Sequence, residues 1–294
     1  MSGAIDKVLI LGHSGFIGRR LQAVLEHDRP DLIVVGLSAE DADLSEASAV
    51  ERLVPLLTPA TLVILAAAVK RQSKDDTESF LRNCRMVESV CRAVQQSPAA
   101  RLVYMSSAAI YGEDIQYSLI AEDTSAQPRT YYGLAKFAGE WIIRQELDGK
   151  VPTSLLSVRP PTIYGPGEPG FPYGPTGFLR KAMSREPITL WGDGAELREF
   201  IFIDDAVRAL IALSLGSATG AVNLVSGSSR TFTDIIAIIG DLLGRQPEVQ
   251  SRPRSKARVD HRFDPGRLQA LLPGFRFGSL EEGMAATLRG LATV

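Results

Sequence analysis

Three glycines near the N-terminus constrain the fold of this chain more than any other feature of its sequence. The apolar residues 8–11 predict a buried strand, which leads directly into the spacing G-x-x-G-x-x-G and then into a helical pattern. A strand that turns on glycine into a helix presents unpaired N–H groups at the positive end of the helix dipole, and such groups attract phosphate. The segment therefore predicts a dinucleotide site at Gly12, Ser14, Gly15, Phe16, Ile17 and Gly18.

Apolar runs alternate with helical patterns through the first half of the chain. Strands are predicted at residues 8–11, 32–37, 61–66, 102–105 and 154–158, and helices at residues 16–26, 46–57, 80–95 and 131–147. Continuous apolar strands that alternate with helices are typical of a parallel sheet covered on both faces. We therefore expect an α/β fold, a Rossmann-type doubly wound parallel sheet, which binds ligands at the carboxyl ends of its strands.

The pattern changes after Arg159. Residues 160–177 contain six prolines and five glycines, so they are predicted to form a long loop. Shorter elements follow, with helices at residues 178–185, 233–243 and 280–291 and strands at residues 188–190, 200–203 and 222–225. We expect a dinucleotide-binding domain over residues 1–160, to which parts of about 198–225 return, and a smaller C-terminal α/β substrate lobe over residues 161–294, packed over the carboxyl edge of the sheet.

Charge and composition exclude several partners. The net charge of −2 offers no electrostatic basis for binding nucleic acid or an anionic membrane. No apolar stretch approaches the roughly 20 residues of a membrane span, and no signal-peptide pattern precedes the first strand, so a cytoplasmic location is predicted. Cys84 and Cys91 lie about 10 Å apart on one predicted helix, too far for a disulfide. The three histidines form no ligand cluster, so no metal is predicted.

Three side chains downstream of the glycines predict chemistry at the same sheet edge. The strand at residues 102–105 ends in Ser106-Ser107, while Tyr132 and Lys136 stand at i and i+4 on one helix. Tyrosine is a poor base because its pKa is about 10, but a nearby ammonium favours the phenolate. With Ser107 holding the substrate oxygen, Tyr132 can move a proton while a nicotinamide exchanges hydride. A Y-x-x-x-K pair alone is more often a packed tyrosine beside a solvated lysine, so this prediction depends on the joint occurrence.

With these motifs the chain resembles the extended short-chain dehydrogenase/reductases, also called the NAD-dependent epimerase/dehydratase family, over nearly all of its length. Further motifs that carry the resemblance are Asp43-Leu44, Leu65-Ala66-Ala67, residues 103–112, Arg159-Pro160 with Tyr164-Gly165-Pro166, Gly192-Asp193-Gly194, residues 198–205 and residues 279–283. Members of this family mostly act on nucleotide-activated sugars. The resemblance therefore implies a nucleotide-sugar substrate.

The resemblance also implies a role for individual residues. Tyr132 would be the general acid/base, Lys136 would hold the nicotinamide ribose and tune Tyr132, and Ser107 would orient the reacting oxygen. Around the dinucleotide it implies Asp43 and Leu44 beside the adenine, Ala66 and Ala67 along the cofactor, and Asn83 beneath it. Arg198 would meet the substrate phosphates, helped by Arg258 or Arg262, and Thr162 stands where relatives carry a sugar-contacting asparagine. Relatives often form homodimers through the helices at residues 80–95 and 131–147, so a homodimer is expected.

Two departures from the family pattern bear on the reaction. Ser38 stands where NAD-specific relatives usually carry an acid, with Glu40 and Asp41 just beyond, so NAD is favoured and NADP stays possible. Ala108-Ala109 replace the acids that dehydratases use to eliminate water. The chain is therefore predicted to be a nucleotide-sugar epimerase acting at C4. The alternatives are an NADPH-dependent 4-keto sugar-nucleotide reductase, an enzyme acting on a non-sugar ketone or alcohol, and a non-catalytic NAD(P)-binding sensor.

Overall fold

The computed structural model describes residues 4–70, 75–169, 173–254 and 257–292. Its first elements are β1 (Lys7–Leu11), α1 (Phe16–Asp28), β2 (Ile33–Leu37), α2 (Ala49–Leu53), β3 (Thr61–Leu65), α3 (Thr77–Gln96), β4 (Arg101–Met105), α4 (Tyr131–Leu147) and β5 (Ser154–Arg159). The remaining elements are β6 (Thr162–Tyr164), α5 (Pro175–Met183), β7 (Ile188–Trp191), β8 (Leu197–Phe202), α6 (Ile203–Leu215), β9 (Gly220–Asn223), β10 (Ser229–Thr231), α7 (Phe232–Leu243), β11 (Val249–Arg252), α8 (Gly266–Leu271) and α9 (Leu280–Ala292).

The chain divides into two compact units. Unit 1 contains the chain up to Gly112, Ser125–Arg159 and Val207–Asn223, and unit 2 contains Glu113–Thr124, Pro160–Ala206 and the chain from Leu224 onwards. Each unit is therefore built from segments that are distant in sequence. The domain boundary near residue 160 stays a prediction.

Unit 1 is built on a six-stranded parallel sheet with the order β2-β1-β3-β4-β5-β9. The chain runs from β1 outward to β2 and then crosses to β3 on the other side of β1, so the strand order reverses at β1. Leu11, the last residue of β1, is level with Leu37 on one side and Leu65 on the other. The predicted doubly wound parallel sheet is confirmed, and the glycine segment lies at its switch point.

Both faces of this sheet are buried. On one face Leu9, Val63 and Leu102 pack with helices α2, α3 and α4 in a single apolar cluster. Residues one step along the strands, such as Ile10 and Ile64, point to the other face and are equally inaccessible to solvent. Burial on both faces explains why these strands are continuous apolar runs rather than alternating ones.

Unit 2 contains two smaller sheets. In the first, β8 lies between β10, which is antiparallel to it, and β6, which is parallel, and the second sheet pairs β11 with β7. The core of this unit is aromatic and aliphatic, with Tyr164, Phe178 and Phe232 packed against the apolar faces of α7 and α9. Strand β8 therefore packs on a well-filled core, which supports its polar side chains.

Two predicted elements were wrong in detail. The prediction of a continuous loop over residues 160–177 fails because Thr162–Tyr164 form β6, whose partner β8 lies 38 positions further on, and because α5 begins at Pro175. Proline is well tolerated there, since the first turn of a helix needs no N–H donor. The helix predicted at residues 46–57 is a single turn, Ala49–Leu53, which tightens into a 3-10 turn at Pro55.

No helix among the described residues combines the length and apolarity needed to cross a membrane.

Candidate active site

The glycine loop brings backbone close to backbone. Gly12 has a φ of +92°, and a Cβ at this position would stand 2.6 Å from the amide nitrogen of Ala67. A Cβ on Gly18 would collide with the carbonyl of Gly12, so the third glycine lets α1 start directly against the loop. Gly15 precedes α1 and contributes no side-chain cap, while Ser14 is exposed beside it. The first-turn N–H groups of α1 therefore stay available, which fits a dinucleotide phosphate.

The end of β2 carries a short polar turn. The carboxylate of Asp41 accepts hydrogen bonds from the backbone N–H of Ser38 at 2.8 Å and from its hydroxyl at 2.7 Å. These two bonds hold the pKa of Asp41 below its ordinary value. Ser38 lines a hollow together with Leu37, Asp43, Leu44 and Ala67. The hollow has the position and lining expected for the adenosine end of a dinucleotide.

Asp43, which lines this hollow, and Asn83 are both held by hydrogen bonds. Asp43 accepts from the hydroxyl of Ser45 at 2.6 Å and from Arg82 at 2.9 Å, and the bonds from Ser45 lower its pKa. Asn83 pairs its side-chain amide with both backbone groups of Val69, at 2.8 and 3.1 Å. This pairing fixes the backbone that follows β3, which includes Ala66 and Ala67.

Lys136 lies beneath Tyr132 in the interior of unit 1. Its ammonium donates to the carbonyl of Met105 at 2.6 Å and lies 5.7 Å from the ring centroid of Tyr132 and 4.9 Å from that of Tyr104. Burial lowers the pKa of Lys136 to about 7, and the carboxylate of Glu140 opposes this shift. Burial and the bond to Met105 therefore hold the Lys136 amine close to the Tyr132 ring.

Ser107 follows β4 and begins the turn that faces α4. Its hydroxyl accepts from the N–H of Ala109 at 3.1 Å and so caps a 3-10 turn. A Cβ on Gly133 would stand 2.7 Å from the carbonyl of Ala109, so only glycine allows α4 to begin this close to the turn. Gly133 therefore brings the helix of Tyr132 and Lys136 against the loop of Ser107.

A buried ion pair supports the same helix. Arg159 donates to both oxygens of Glu140, at 2.9 and 2.7 Å, and to the hydroxyl of Tyr111 at 2.8 Å. Tyr111 in turn donates to Asn223 at 2.8 Å. Glu140 stands one turn beyond Lys136, and that i+4 spacing was the signal in the sequence that could have identified it.

The predicted substrate residues lie in unit 2 in different environments. Arg198, on β8, is half-buried and donates to the carbonyls of Leu197 at 2.8 Å and Val259 at 2.6 Å. Burial lowers the pKa of its guanidinium. Arg258 is half-exposed and paired with Asp260 at 3.0 Å, Arg262 is exposed, and Thr162 is the exposed first residue of β6.

Arg254 was not among the predicted substrate residues. It is paired with Glu196 and, at 3.1 Å, with Asp193. Burial raises the pKa of the Tyr173 phenol, and the hydrogen bond from the N–H of Trp191 and the charges of Arg254 and Arg198 oppose that shift. Arg254 belongs to the basic stretch over residues 252–262, but no local pattern distinguishes it from its neighbours.

The fold and site define a class of dinucleotide-dependent α/β enzymes. The model of the NAD dependent epimerase/dehydratase family matches residues 8–224, and the chain belongs to this family. It is therefore an enzyme of the extended short-chain dehydrogenase/reductase type, and NAD is the cofactor of that class. Among the described residues no group of three or more metal-ligating side chains is found.

Named relatives include reductases and epimerases. The chain is 26% identical to a dTDP-4-dehydro-6-deoxy-D-allose reductase of a Streptomyces species, over 96% of this chain and 95% of the relative. It is 28% identical to a putative GDP-L-fucose synthase 2 of Oryza sativa, over 90% and 81%. The solved UDP-glucose 4-epimerase of Thermus thermophilus, in complex with NAD, superposes with a TM-score of 0.81 at 25% identity, over 97% of this chain and 99% of that one.

Proposed function

We propose that the protein is a nucleotide-sugar epimerase that acts at C4 by transient hydride transfer. The observation that carries this proposal is the burial of Lys136 under the ring of Tyr132, on a helix that Gly133 brings against the Ser107 turn. The relatives' names support the substrate class, since they include enzymes of UDP-, GDP- and dTDP-linked sugars.

The reaction moves a proton and a hydride, and the side chains of this chain handle the proton. Tyr132, as phenolate, takes the proton of a sugar hydroxyl whose oxygen Ser107 holds by a hydrogen bond, while Lys136 stabilises the phenolate. Bound NAD would supply reversible hydride transfer at the same carbon. The ketone would rotate between the two transfers so that its other face is presented, and Tyr132 would then return the proton to the oxygen. The glycine-loop backbone would hold the dinucleotide together with Ser14, Phe16, Ile17 and the hollow at Ser38. Arg198 would bind the substrate phosphates, helped by Arg258, Arg262 or Arg254.

The relatives that are reductases support a second candidate, a 4-keto sugar-nucleotide reductase that uses NADPH. Such an enzyme would use the same three residues, but Tyr132 would protonate the oxygen after one hydride delivery. Native mass spectrometry of the purified protein separates the two. Retained stoichiometric NAD supports the epimerase, because its cofactor is regenerated at each turnover. Purification without cofactor, followed by tighter binding of NADPH than of NADH, supports the reductase.

A pair of adjacent tyrosines tests whether Tyr132 is the catalytic acid/base. We expect Tyr132→Phe to lower kcat at least about 100-fold, since it removes the group that moves the proton. Tyr131→Phe is the matched control, because Tyr131 is exposed and has no lysine four residues on. The assay is chromatographic detection of product with a panel of UDP-, GDP-, dTDP- and ADP-linked sugars. Equal activity of the two variants would exclude this mechanism.

We also propose a homodimer that forms through α3 and α4. Four large apolar side chains are exposed on these two helices, namely Leu81, Tyr131, Leu134 and Trp141. Trp141 keeps 54% of its surface exposed, which is unusual for tryptophan on an otherwise packed helix. A second copy of the chain would cover this surface.

A further inference from the structure

Besides its own N-cap residue, the N-terminus of α4 has a hydrogen-bond partner from another part of unit 1. Thr130, the N-cap residue, accepts from the N–H of Gly133 at 3.0 Å. The N–H of Tyr132, one residue earlier in the first turn, donates to the carboxylate of Asp75 at 2.9 Å. Asp75 lies 57 positions earlier in the chain, next to the start of α3. The amide that it binds belongs to the residue to which we assign acid/base catalysis.

The adjacent aspartate does the same for a different helix. Asp76 is the N-cap of α3, and its carboxylate accepts from the N–H of Ser79 at 3.0 Å. The hydroxyl of Ser79 returns a bond by accepting from the N–H of Asp76, also at 3.0 Å. Consecutive aspartates therefore cap two helices. Because Asp76 already caps the N-terminus of α3, the carboxylate of Asp75 can accept a hydrogen bond from α4 instead.

The two ends of the Tyr132–Lys136 pair are held by separate contacts. Lys136 stands one turn further along α4, where it is fixed by burial and by its bond to the carbonyl of Met105. Tyr132 stands in the first turn, where backbone hydrogen bonds are incomplete and helices fray. This bond is exposed to solvent, so without Asp75 the N–H of Tyr132 would be left to water, and the first turn would hold Tyr132 less firmly relative to Lys136. Catalytic geometry tolerates only about 0.5 Å of such movement.

We propose that Asp75 is a positioning residue that holds Tyr132 in register with Lys136 and Ser107. This inference rests on the proposed function, since it takes Tyr132 as the group that moves the proton. Asp75 acts through the backbone of α4, by accepting from the N–H of Tyr132. Its contribution is therefore expected chiefly in kcat, because the proton transfer depends on where the phenol stands.

Three variants test the proposal. Asp75→Ala removes the acceptor, Asp75→Asn keeps an acceptor oxygen, and Asp76→Ala removes the equivalent cap from α3. The first readout is hydrogen exchange of individual backbone amides followed by NMR. We expect the Tyr132 amide to exchange at least about tenfold faster in Asp75→Ala, with Asp75→Asn near wild type. In Asp76→Ala the Ser79 amide should exchange faster instead, and the Tyr132 amide should not change.

The second readout separates positioning from a loss of stability, with the panel of nucleotide-linked sugars as substrates. We expect Asp75→Ala to lower kcat about tenfold with KM within twofold of wild type, and Asp75→Asn to restore most of kcat. Asp76→Ala should lose a similar amount of stability, about 1 kcal/mol for a helix cap, and keep kcat within twofold. Equal kcat for the two alanine variants, or an unchanged Tyr132 amide in Asp75→Ala, would overturn the inference while leaving the proposed function intact. A wild-type protein that turns over no sugar of the panel would instead sink the proposed function, and the positioning role with it.

Discussion

Asp41 is the residue at which cofactor selectivity can be tested most directly. Its carboxylate folds back on Ser38, at the end of β2, and hydrogen bonds keep its pKa low, so it is ionised at neutral pH. A 2′-phosphate bound at Ser38 would face this charge. We expect Asp41→Asn to bring the affinities for NADP and NAD closer by about tenfold, because it removes the charge that a 2′-phosphate would face. Calorimetric Kd values for both cofactors measure the ratio, and Glu40→Gln, which removes a neighbouring exposed charge, is the control. An unchanged ratio in Asp41→Asn would show that the adenosine ribose is recognised elsewhere.

At the scale of elements, Arg101 joins β4 to the end of α6. Its guanidinium donates to the carbonyls of Gly216 at 3.0 Å, Leu213 at 3.2 Å and Ala218, all at or just beyond the last turn of the helix. A cation at this position satisfies carbonyls that have no partner within the helix and complements the helix dipole. We expect Arg101→Met to lower the free energy of unfolding by about 3 kcal/mol, because buried carbonyls lose their donors. Urea denaturation measures the loss. Arg82→Met, which removes an exposed pair with Asp43, should cost less than about 1 kcal/mol.

Whether an element can be predicted from the sequence depends on how local its signal is. The strands of unit 1 and helix α4 were predicted closely, because long apolar runs and a helical period are local signals. Strands β6, β10 and β11 have only three or four residues each, too few for a period, and their pairing depends on partners far along the chain. The contact between Asp75 and Tyr132 was missed for the same reason, since no local pattern relates residues 57 positions apart. The site residues themselves were predicted from motifs, and their roles stay predictions until the variants are measured.

At the scale of the whole molecule, the exposed apolar surface of α3 and α4 predicts association. Trp141 and Leu134 are 54% and 39% exposed on one helix, and a second copy of the chain would remove this apolar area from water. In size-exclusion chromatography with light scattering, we expect the wild-type protein to have a molar mass twice that of its 31.8 kDa chain. Trp141→Glu should shift the mass to that of the single chain, because a charge cannot be buried there without a partner. Trp191→Glu is the matched control, since Trp191 is an equally prominent exposed tryptophan (44%) on β7 of unit 2. A wild-type mass of one chain, or equal dissociation by both variants, would contradict dimerisation through α3 and α4.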